Sequence, residues 1–311
     1  GLFLLEWVAY HHVIGFDNII ICTNNCTDGS DDLLDALEHV GALVHLRHAP
    51  TLNETPQDSG IRAAFAHLNQ TETEWLAHID ADEFINIGLG NGKVSDLLER
   101  AGMGDVIALP WWAFGDSHHV QWPGDLLEKF TLAEVSPTPE RAKFKSMFRF
   151  RKFEHANDHM PTRSKTPSPD VRSALGEPLG NDGLFAVKRA KYRPFDVALC
   201  PEAACINHYA IPSRDAFLMK NHRGDGQGKT TDKYYLGSRW HEIANQNAQP
   251  NLTIQRHLSA THTELARLRA YPAIAKAETS CIDWFKQQSA AILTHDQIRD
   301  WSKPHARKPM Q

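Results

Sequence analysis

Trp75-Leu-Ala-His-Ile-Asp80-Ala-Asp82-Glu83-Phe84 sets an apolar run directly before two carboxylates at i and i+2. A strand ending there would carry both acids to the carboxyl edge of an α/β sheet, where such sheets bind ligands. Carboxylates facing one point suit a hard divalent cation, Mg²⁺ or Mn²⁺, which keeps open positions for phosphate oxygens. The same triplet also works as an acidic turn capping the next element, and pattern alone leaves both readings open. A second segment, Thr23-Asn24-Asn25-Cys-Thr27-Asp28-Gly29-Ser30, likewise follows an apolar run and precedes a helical one. Its backbone amides and the helix N-terminus could face an anion, and its Asn and Asp side chains could bond a base or ribose. Ordinary turn chemistry accounts for the same residues.

The elements that must position these segments read as alternating helix and strand. Leu2, Leu5, Val8 and Ala9 recur at helical spacing until Gly15. Residues 19–22 form a strand, Ser30 caps a helix with Asp31 and Asp32 in its first turn, and Leu33, Leu34, Leu37 and Val40 are its inner face. A strand over 42–46, a helix over 58–68 and a strand over 74–79 complete the run to Asp80. This alternation predicts an α/β, Rossmann-like mixed sheet, mainly parallel and flanked by helices. Such sheets usually begin with a strand, whereas the chain opens in a helix, so a first strand is expected to be missing. Residues 154–184, rich in Pro, Asp, Ser and Gly, read as a long loop. Helices are expected near 213–221, 252–270 and 279–293, followed by a frayed tail over 303–311.

Composition narrows the function classes. The 311 residues carry 33 basic and 38 acidic side chains, a net charge of −5 without a basic stripe, which argues against a nucleic-acid track. No apolar run approaches the roughly 20 residues that span a bilayer, although association through an acceptor lipid stays open. Five cysteines, scattered and without a CxxC pair, argue against a disulfide framework or structural zinc; the expectation is a reducing, cytoplasmic setting. With 18 histidines, no single histidine carries an argument alone.

Taken together, the two segments resemble glycosyltransferase family 2 and its relatives: Thr27-Asp28-Gly29-Ser30 after a strand, then Asp80-Ala-Asp82-Glu83-Phe84. The opening Leu4-Leu-Glu6-Trp7-Val-Ala-Tyr10-His11 through Gly15-Phe16-Asp17 is similar to the subgroup allied to family 92, in which an Asn-Glu dipeptide precedes such a helix. Trp111-Trp112-Ala-Phe114-Gly115, Lys145-Ser-Met-Phe148-Arg149, His159-Met-Pro161, Asn207-His208-Tyr209 and Ser213 to Lys220 continue the series in order over the first 230 or so residues. The resemblance implies a GT-A fold, a nucleoside-diphosphate sugar as donor and Mn²⁺ or Mg²⁺. It implies Asp80 near the donor ribose and metal, Asp82 as a ligand and His208 as a further ligand. Asn24, Asn25 and Asp28 match the donor turn, and Gln57 and Arg62 a helix facing the diphosphate. Thr23 and Asn24 stand where the broad family usually has Asp, which bears on the choice of base. The resemblance divides the chain into a catalytic unit over 1–210, split near 110 into donor and acceptor halves, and a helical extension over 211–311.

The chemistry expected is transfer of a sugar to an acceptor hydroxyl with inversion. A cation would stabilise the departing diphosphate, and a base on the opposite face would take the proton. Asp116, Glu154 and Asp158 are the candidate bases. Trp111, Trp112, Phe114 and His159 are candidates to hold a glycan, lipid-linked or protein-linked acceptor; core packing is the alternative for the aromatic cluster. Lys145, Arg149 and Arg151 could meet phosphate or line a solvated strand. Two other functions compete: a nucleotidyltransferase, which would release pyrophosphate, and a carbohydrate-binding relative without turnover.

Overall fold

The computed structural model describes residues 1–138, 143–181, 184, 199–223 and 232–302. The chain enters in α1 (Leu4–Ile14) and continues through β1 (Ile20–Thr23), α2 (Ser30–His39), β2 (Val44–Arg47), α3 (Pro56–Leu68) and β3 (Trp75–Ala77). Then come β4 (Glu83–Ile87), α4 (Val94–Ala101), β5 (Val106–Ala113) and an excursion holding α5 (Leu126–Lys129) and β6 (Leu132–Ala133). Five strands follow: β7 (Phe144–Arg149), β8 (Phe153–Ala156), β9 (Pro161–Ser164), β10 (Val171–Ser173) and β11 (Pro178–Leu179). After β12 (Ala204–His208) come α6 (Arg214–Arg223), α7 (Arg239–Ala244), β13 (Gln249–Pro250), α8 (Leu258–Arg269), α9 (Pro272–Ile292) and α10 (His295–Asp300).

The helix predicted at the start is present, and its apolar character extends nearly all round because it is covered on both sides. Leu5, Val8, Ala9, Tyr10 and Ile14 are at most 1% exposed. One side lies on β4 and the other meets α8. Gly15 ends it with φ 102°, a left-handed residue whose N–H returns to the His12 carbonyl. The cap expected at Ser30 differs: Ser30 is the first helical residue of α2, and Asp28 Oδ1 accepts its N–H at 3.1 Å.

The sheet is where the expectation fails. β5 lies at the centre of a seven-stranded sheet, antiparallel to β7, parallel to β10 along its first half and parallel to β12 along its second. β12 runs antiparallel to β4, β7 to β3 and β10 to β11, so four of the six pairings are antiparallel. The protein is mixed α/β with a mostly antiparallel sheet, and the mainly parallel Rossmann-like sheet is corrected. The physical reason is the connection after β5. A parallel return needs a crossover, usually a helix of a dozen residues. Here the described residues between β5 and β7 hold one four-residue helix, and the chain comes back antiparallel as β7. Part of the loop expected over 154–184 is strand as well: β8 pairs β9, and β10 joins the central sheet.

Helices appear at 214–223, 258–269 and 272–292, where the sequence predicted them. α9 packs on α2 and α8 on α1, so this helical layer braces the side of the sheet away from α3. The expected tail over 303–311 lies outside the described residues. Among the described residues, no helix is long and apolar enough to cross a membrane. All five cysteines are free thiols.

Candidate functional site

The acidic tip is held from three sides. A tight turn closes from Asp80 to Glu83: Glu83 N–H donates to the Asp80 carbonyl at 3.0 Å, and Asp80 N–H donates to Glu83 Oε2 at 2.9 Å. Trp7 Nε1 donates to the Glu83 carbonyl and Tyr10 Oη to that of Ile85, both at 2.8 Å, so α1 is pinned to the strand that leaves the tip. Across the sheet, Glu83 sits in register with His208, and Tyr209 N–H donates to the Asp82 carbonyl at 2.8 Å. The pairing of β4 with β12 thus brings the acids at 80–83 and His208 together although 125 residues separate them in sequence.

Two lysines meet these acids. Lys145 Nζ, with its side chain 1% exposed, lies 3.2 Å from Asp80 Oδ2 and 3.2 Å from Glu83 Oε2, and donates to the Asp158 carbonyl at 2.6 Å. Lys220 Nζ lies 2.9 Å from Asp82 Oδ2 and donates to the Ala210 carbonyl at 2.8 Å. Burial, the largest influence, would raise the pKa of Asp80; attraction to Lys145 and His78 together with the Lys145 hydrogen bond leaves this carboxyl below its usual value. Glu83 has no exposure, and burial drives its pKa well above the usual value despite Lys145. Its Oε1 has no hydrogen-bond partner. Lys145, Asp80 and Glu83 thus form one cluster around the Lys145 ammonium. Burial opposes the charge on Lys145, and the neighbouring acids hold it there.

Asp82 and His208 are the residues that fit a cation. His208 Nε2 is 3.8 Å from Asp82 Oδ1, so these two side chains would be the ones to hold a cation. Burial lowers the His208 pKa to about 4, so the imidazole is neutral, the form in which histidine binds metal. Among the described residues no three His, Cys, Asp or Glu side chains are gathered tightly enough to form a complete cage. A two-residue set still agrees with the habit of Mg²⁺ and Mn²⁺, which take one or two protein ligands and complete their shell with phosphate and water. Asp80 is placed beside this pair with its carboxylate turned to Lys145, and Gln57 Nε2 approaches its other oxygen at 3.5 Å.

The other predicted residues divide. Asn24 and Asn25 sit at the end of β1, Asn25 exposed with φ 51°. Asp28 Oδ2 meets the Gly1 amine at 2.5 Å. Arg62 is turned outward, its side chain 54% exposed, with Nε donating to Glu54 Oε1 at 2.8 Å. Thr23, where an acid was expected, shares its hydroxyl with His45 Nε2 at 2.7 Å, and His45 Nδ1 lies 2.8 Å from Asp35 Oδ1.

Beside His208, Trp111 meets its ring at a tilt of 38° with centroids 4.1 Å apart and meets the His159 ring at 5.4 Å. Trp112 and Phe114 point the other way and are 8% and 0% exposed; Trp112 Nε1 donates to the Glu134 carbonyl and Phe114 packs on Tyr209 at 4.7 Å. Those two rings belong to the core, as strand alternation requires once Trp111 faces the site.

Of the three candidate bases, Asp158 is the one beside the acidic tip. Asn157 Oδ1 accepts the N–H groups of His159 and Met160 at 2.8 and 3.0 Å, and His78 Nδ1 lies 3.0 Å from the Asn157 carbonyl, so the turn carrying Asp158 is fixed. Asp158 Oδ1 is buried without a hydrogen-bond partner. Glu154 is exposed on β8. Asp116 is engaged elsewhere: Asn247 Nδ2 donates to its Oδ1 at 3.0 Å and Asn245 Nδ2 to its Oδ2 at 3.1 Å. Asn247 Oδ1 in turn accepts from Ser117 N–H at 2.8 Å, holding Ser117 and His118 at φ 47° and 66°. Gly115 is required by the same latch, because a Cβ there would fall 2.3 Å from Asn247 Oδ1. This explains the Phe-Gly stretch as a clasp onto the C-terminal segment.

Sequence reasoning missed Glu83 as a buried partner of Lys145, and missed Lys143, Lys233 and Trp240 altogether. An acid inside an apolar strand start was a readable signal for Glu83; Trp240 lies 32 residues after His208 and had none.

Residues 2–174 match the glycosyltransferase family 92 model, which takes in the tip, Lys145 and Asp158 and ends before His208, Lys220 and Trp240. A glycosyltransferase family 92 protein of Oryza sativa subsp. japonica is 34% identical over 101 residues, 32% of this chain and 16% of that protein. One from Ricinus communis is 30% identical over 112 residues, 35% of this chain and 19% of that protein. The matched segments thus span less than a fifth of these relatives. With more than half of its length matched to the family model, the chain belongs to glycosyltransferase family 92.

Proposed function

We propose that this glycosyltransferase moves a sugar from a nucleoside-diphosphate sugar to an acceptor hydroxyl, with inversion, using Mn²⁺ or Mg²⁺ held by Asp82 and His208. The observation that carries the reading is the neutral, buried His208 facing Asp82 Oδ1 beside the clamped Asp80. A divalent ion there supplies Lewis-acid stabilisation for the charge that grows on the leaving diphosphate. Lys220 holds the second oxygen of Asp82 and so fixes which oxygen turns to His208. Lys145 fixes Asp80 on the donor side, within reach of Gln57 and α3.

Asp158 is the base in this reading. An unpartnered buried carboxylate oxygen is costly, and an acceptor hydroxyl would satisfy it. As the acceptor oxygen bonds to the anomeric carbon and the bond to the diphosphate breaks, its proton passes to Asp158. A positioned base contributes about 10²–10⁴-fold. Donor turnover by Asp82→Ala is expected to lose its dependence on added Mn²⁺ and fall to background, while Asp158→Asn should lose kcat with donor KM little changed. Full metal-dependent turnover in Asp82→Ala would defeat the proposal, as would release of pyrophosphate in place of nucleoside diphosphate.

A further inference from the structure

Arg214 carries a charge that the fold leaves unmet. It opens α6, partly buried, and its Nε is sealed from solvent without a hydrogen-bond partner. Among the described residues its side chain makes no hydrogen bond and no ion pair. The acids around it are engaged by other donors. Asp215 Oδ1 accepts the Ser213 hydroxyl at 2.5 Å and Ala216 N–H at 2.7 Å, and its Oδ2 accepts Trp122 N–H at 3.0 Å. Asp116 is held by Asn245 and Asn247, and Glu242 is exposed. A guanidinium is seldom withdrawn from water without a partner, because an unsatisfied buried donor is costly, above all a charged one.

His241 stands beside it. Phe217, one turn after Arg214 on the same side of α6, has its ring centre 5.3 Å from that of His241. Burial lowers the His241 pKa and the Arg214 charge lowers it further, against Asp116 and Glu242, so the two side chains are within electrostatic reach. The tautomer of the ring follows from Asn245. Asn245 Oδ1 accepts Asp116 N–H at 2.8 Å, so its Nδ2 is the atom 3.4 Å from His241 Nε2. Nε2 is therefore the acceptor and Nδ1 carries the proton, with no acceptor for it among the described residues. Both side chains sit one step outside the cation pair. Lys220, further along α6, meets Asp82, and Trp240, next to His241, has its ring 6.3 Å from that of His208. The Trp240 ring itself is already covered by Lys143 and Lys233, at 5.1 and 4.7 Å.

We infer that Arg214 and His241 form a receptor for an oxyanion, a phosphate or carboxylate group, on one of the substrates. The inference rests on the proposed glycosyl transfer and adds to it a binding group apart from the cation pair. The outer nitrogens of the guanidinium are not sealed as Nε is, and an anion reaches it there. A planar guanidinium meets an oxyanion with two parallel N–H donors, and the pairing compensates the stranded charge. A neutral imidazole N–H adds a donor without adding a second charge. Both residues lie beyond the part of the chain that matches the family model, so the receptor is supplied by the C-terminal segment.

The test follows thermal unfolding of the full chain at constant ionic strength, with sodium phosphate or sodium acetate replacing sodium chloride. Binding to the folded chain raises the midpoint by mass action. Phosphate or acetate should raise it in the parent and far less in Arg214→Gln, with His241→Phe in between. In chloride alone, Arg214→Gln should match the parent or exceed it, since it removes an unmet charge. Far-UV circular dichroism checks the fold of each variant. Calorimetry of Arg214→Gln then gives the source of the oxyanion. A loss of about tenfold or more in affinity for a nucleoside diphosphate with Mn²⁺ puts it on the donor. The same loss for glucose 6-phosphate or methyl β-glucuronoside, with diphosphate affinity kept, puts it on the acceptor. A midpoint rise no larger in the parent than in Arg214→Gln would overturn the inference, as would finding none of these compounds bound more weakly by the variant. So would an Arg214→Gln chain less stable than the parent in chloride, with the loss absent from an Asp116→Asn background, because Arg214 would then be the partner of Asp116. Manganese binding is measured in the same samples. If it is intact, such a failure strikes this inference alone. If Mn²⁺ does not bind the parent while the phosphate response persists, the transfer reading fails and the oxyanion receptor stands.

Discussion

Replacing Lys145 by Met removes the ammonium that Asp80 and Glu83 share, and the size of the loss follows from the geometry. Each contact spans 3.2 Å, where two unit charges at an effective dielectric of 20 would attract by about 5 kcal/mol. Dehydrating the ammonium takes much of that back, and removing one member of a buried pair costs about 3–5 kcal/mol. The Asp80 side chain is 43% exposed and screened, so its share is small. Burial favours the neutral form of Glu83, and its Oε2 keeps the Asp80 N–H, which leaves the Asp158 carbonyl as the group stranded without its donor. The expected cost therefore lies at the low end, about 3 kcal/mol. Urea unfolding followed by circular dichroism and tryptophan fluorescence reads it as a drop in the midpoint of about 1 M, for a slope near 3 kcal/mol/M. Burial favours the neutral form of Glu83, and Glu83→Gln keeps an oxygen for the Asp80 N–H, so it should cost under about 1 kcal/mol. A Lys145→Met protein within about 0.5 kcal/mol of the parent would refute the argument. A Glu83→Gln loss as large as that of Lys145→Met would show that Glu83 is ionised.

Other outcomes follow from the same groups. His11, His159 and His208 have burial-lowered pKa values of about 3, 4 and 4, so the unfolded chain binds protons more readily below pH 6.5. Their stabilisation is complete above about pH 6.5 and lost as pH falls toward 4 and 3, which acid titration of the unfolding midpoint checks. Glu6 has the opposite sign: burial raises its pKa to about 7, against the N–H groups of Leu127 and Leu126 that favour the charged form. It contributes stability below pH 4.5 that is lost as pH rises through 7, about 3 kcal/mol in all, and Glu6→Gln should flatten this limb. Asn247→Ala removes the acceptor that holds Ser117 N–H and a donor to Asp116, and should raise amide exchange at 116–119 while leaving the acidic tip protected.

Much of the site's near side was legible because its residues are local in sequence. The apolar run before Asp80 and Asp82 announced a strand, although it ends at Ala77 and not at the acids, and α1 was marked by its spacing and Gly15. What failed was long-range. Nothing in residues 114–143 says that the chain returns antiparallel, since strand direction depends on whether a crossover helix forms. Trp111, Trp112 and Phe114 read alike as aromatics, yet β5 turns Trp111 to the site and Trp112 to the core. Asp116 looked like a base because a loop acid near aromatics is unmarked; two asparagines some 130 residues on take its oxygens. His208 was marked as a ligand only by the family resemblance of Asn207-His208-Tyr209; its register with Glu83 is a pairing across the sheet that no local pattern encodes.

The central claim is that Asp82 and His208 hold one divalent cation against the donor's diphosphate. Electron paramagnetic resonance of Mn²⁺, titrated into the protein with and without a nucleoside diphosphate, tests it most directly. The account predicts one site that tightens when the diphosphate is present and is lost in both Asp82→Asn and His208→Ala. Manganese binding unchanged in those two variants, or indifferent to the diphosphate, would contradict it.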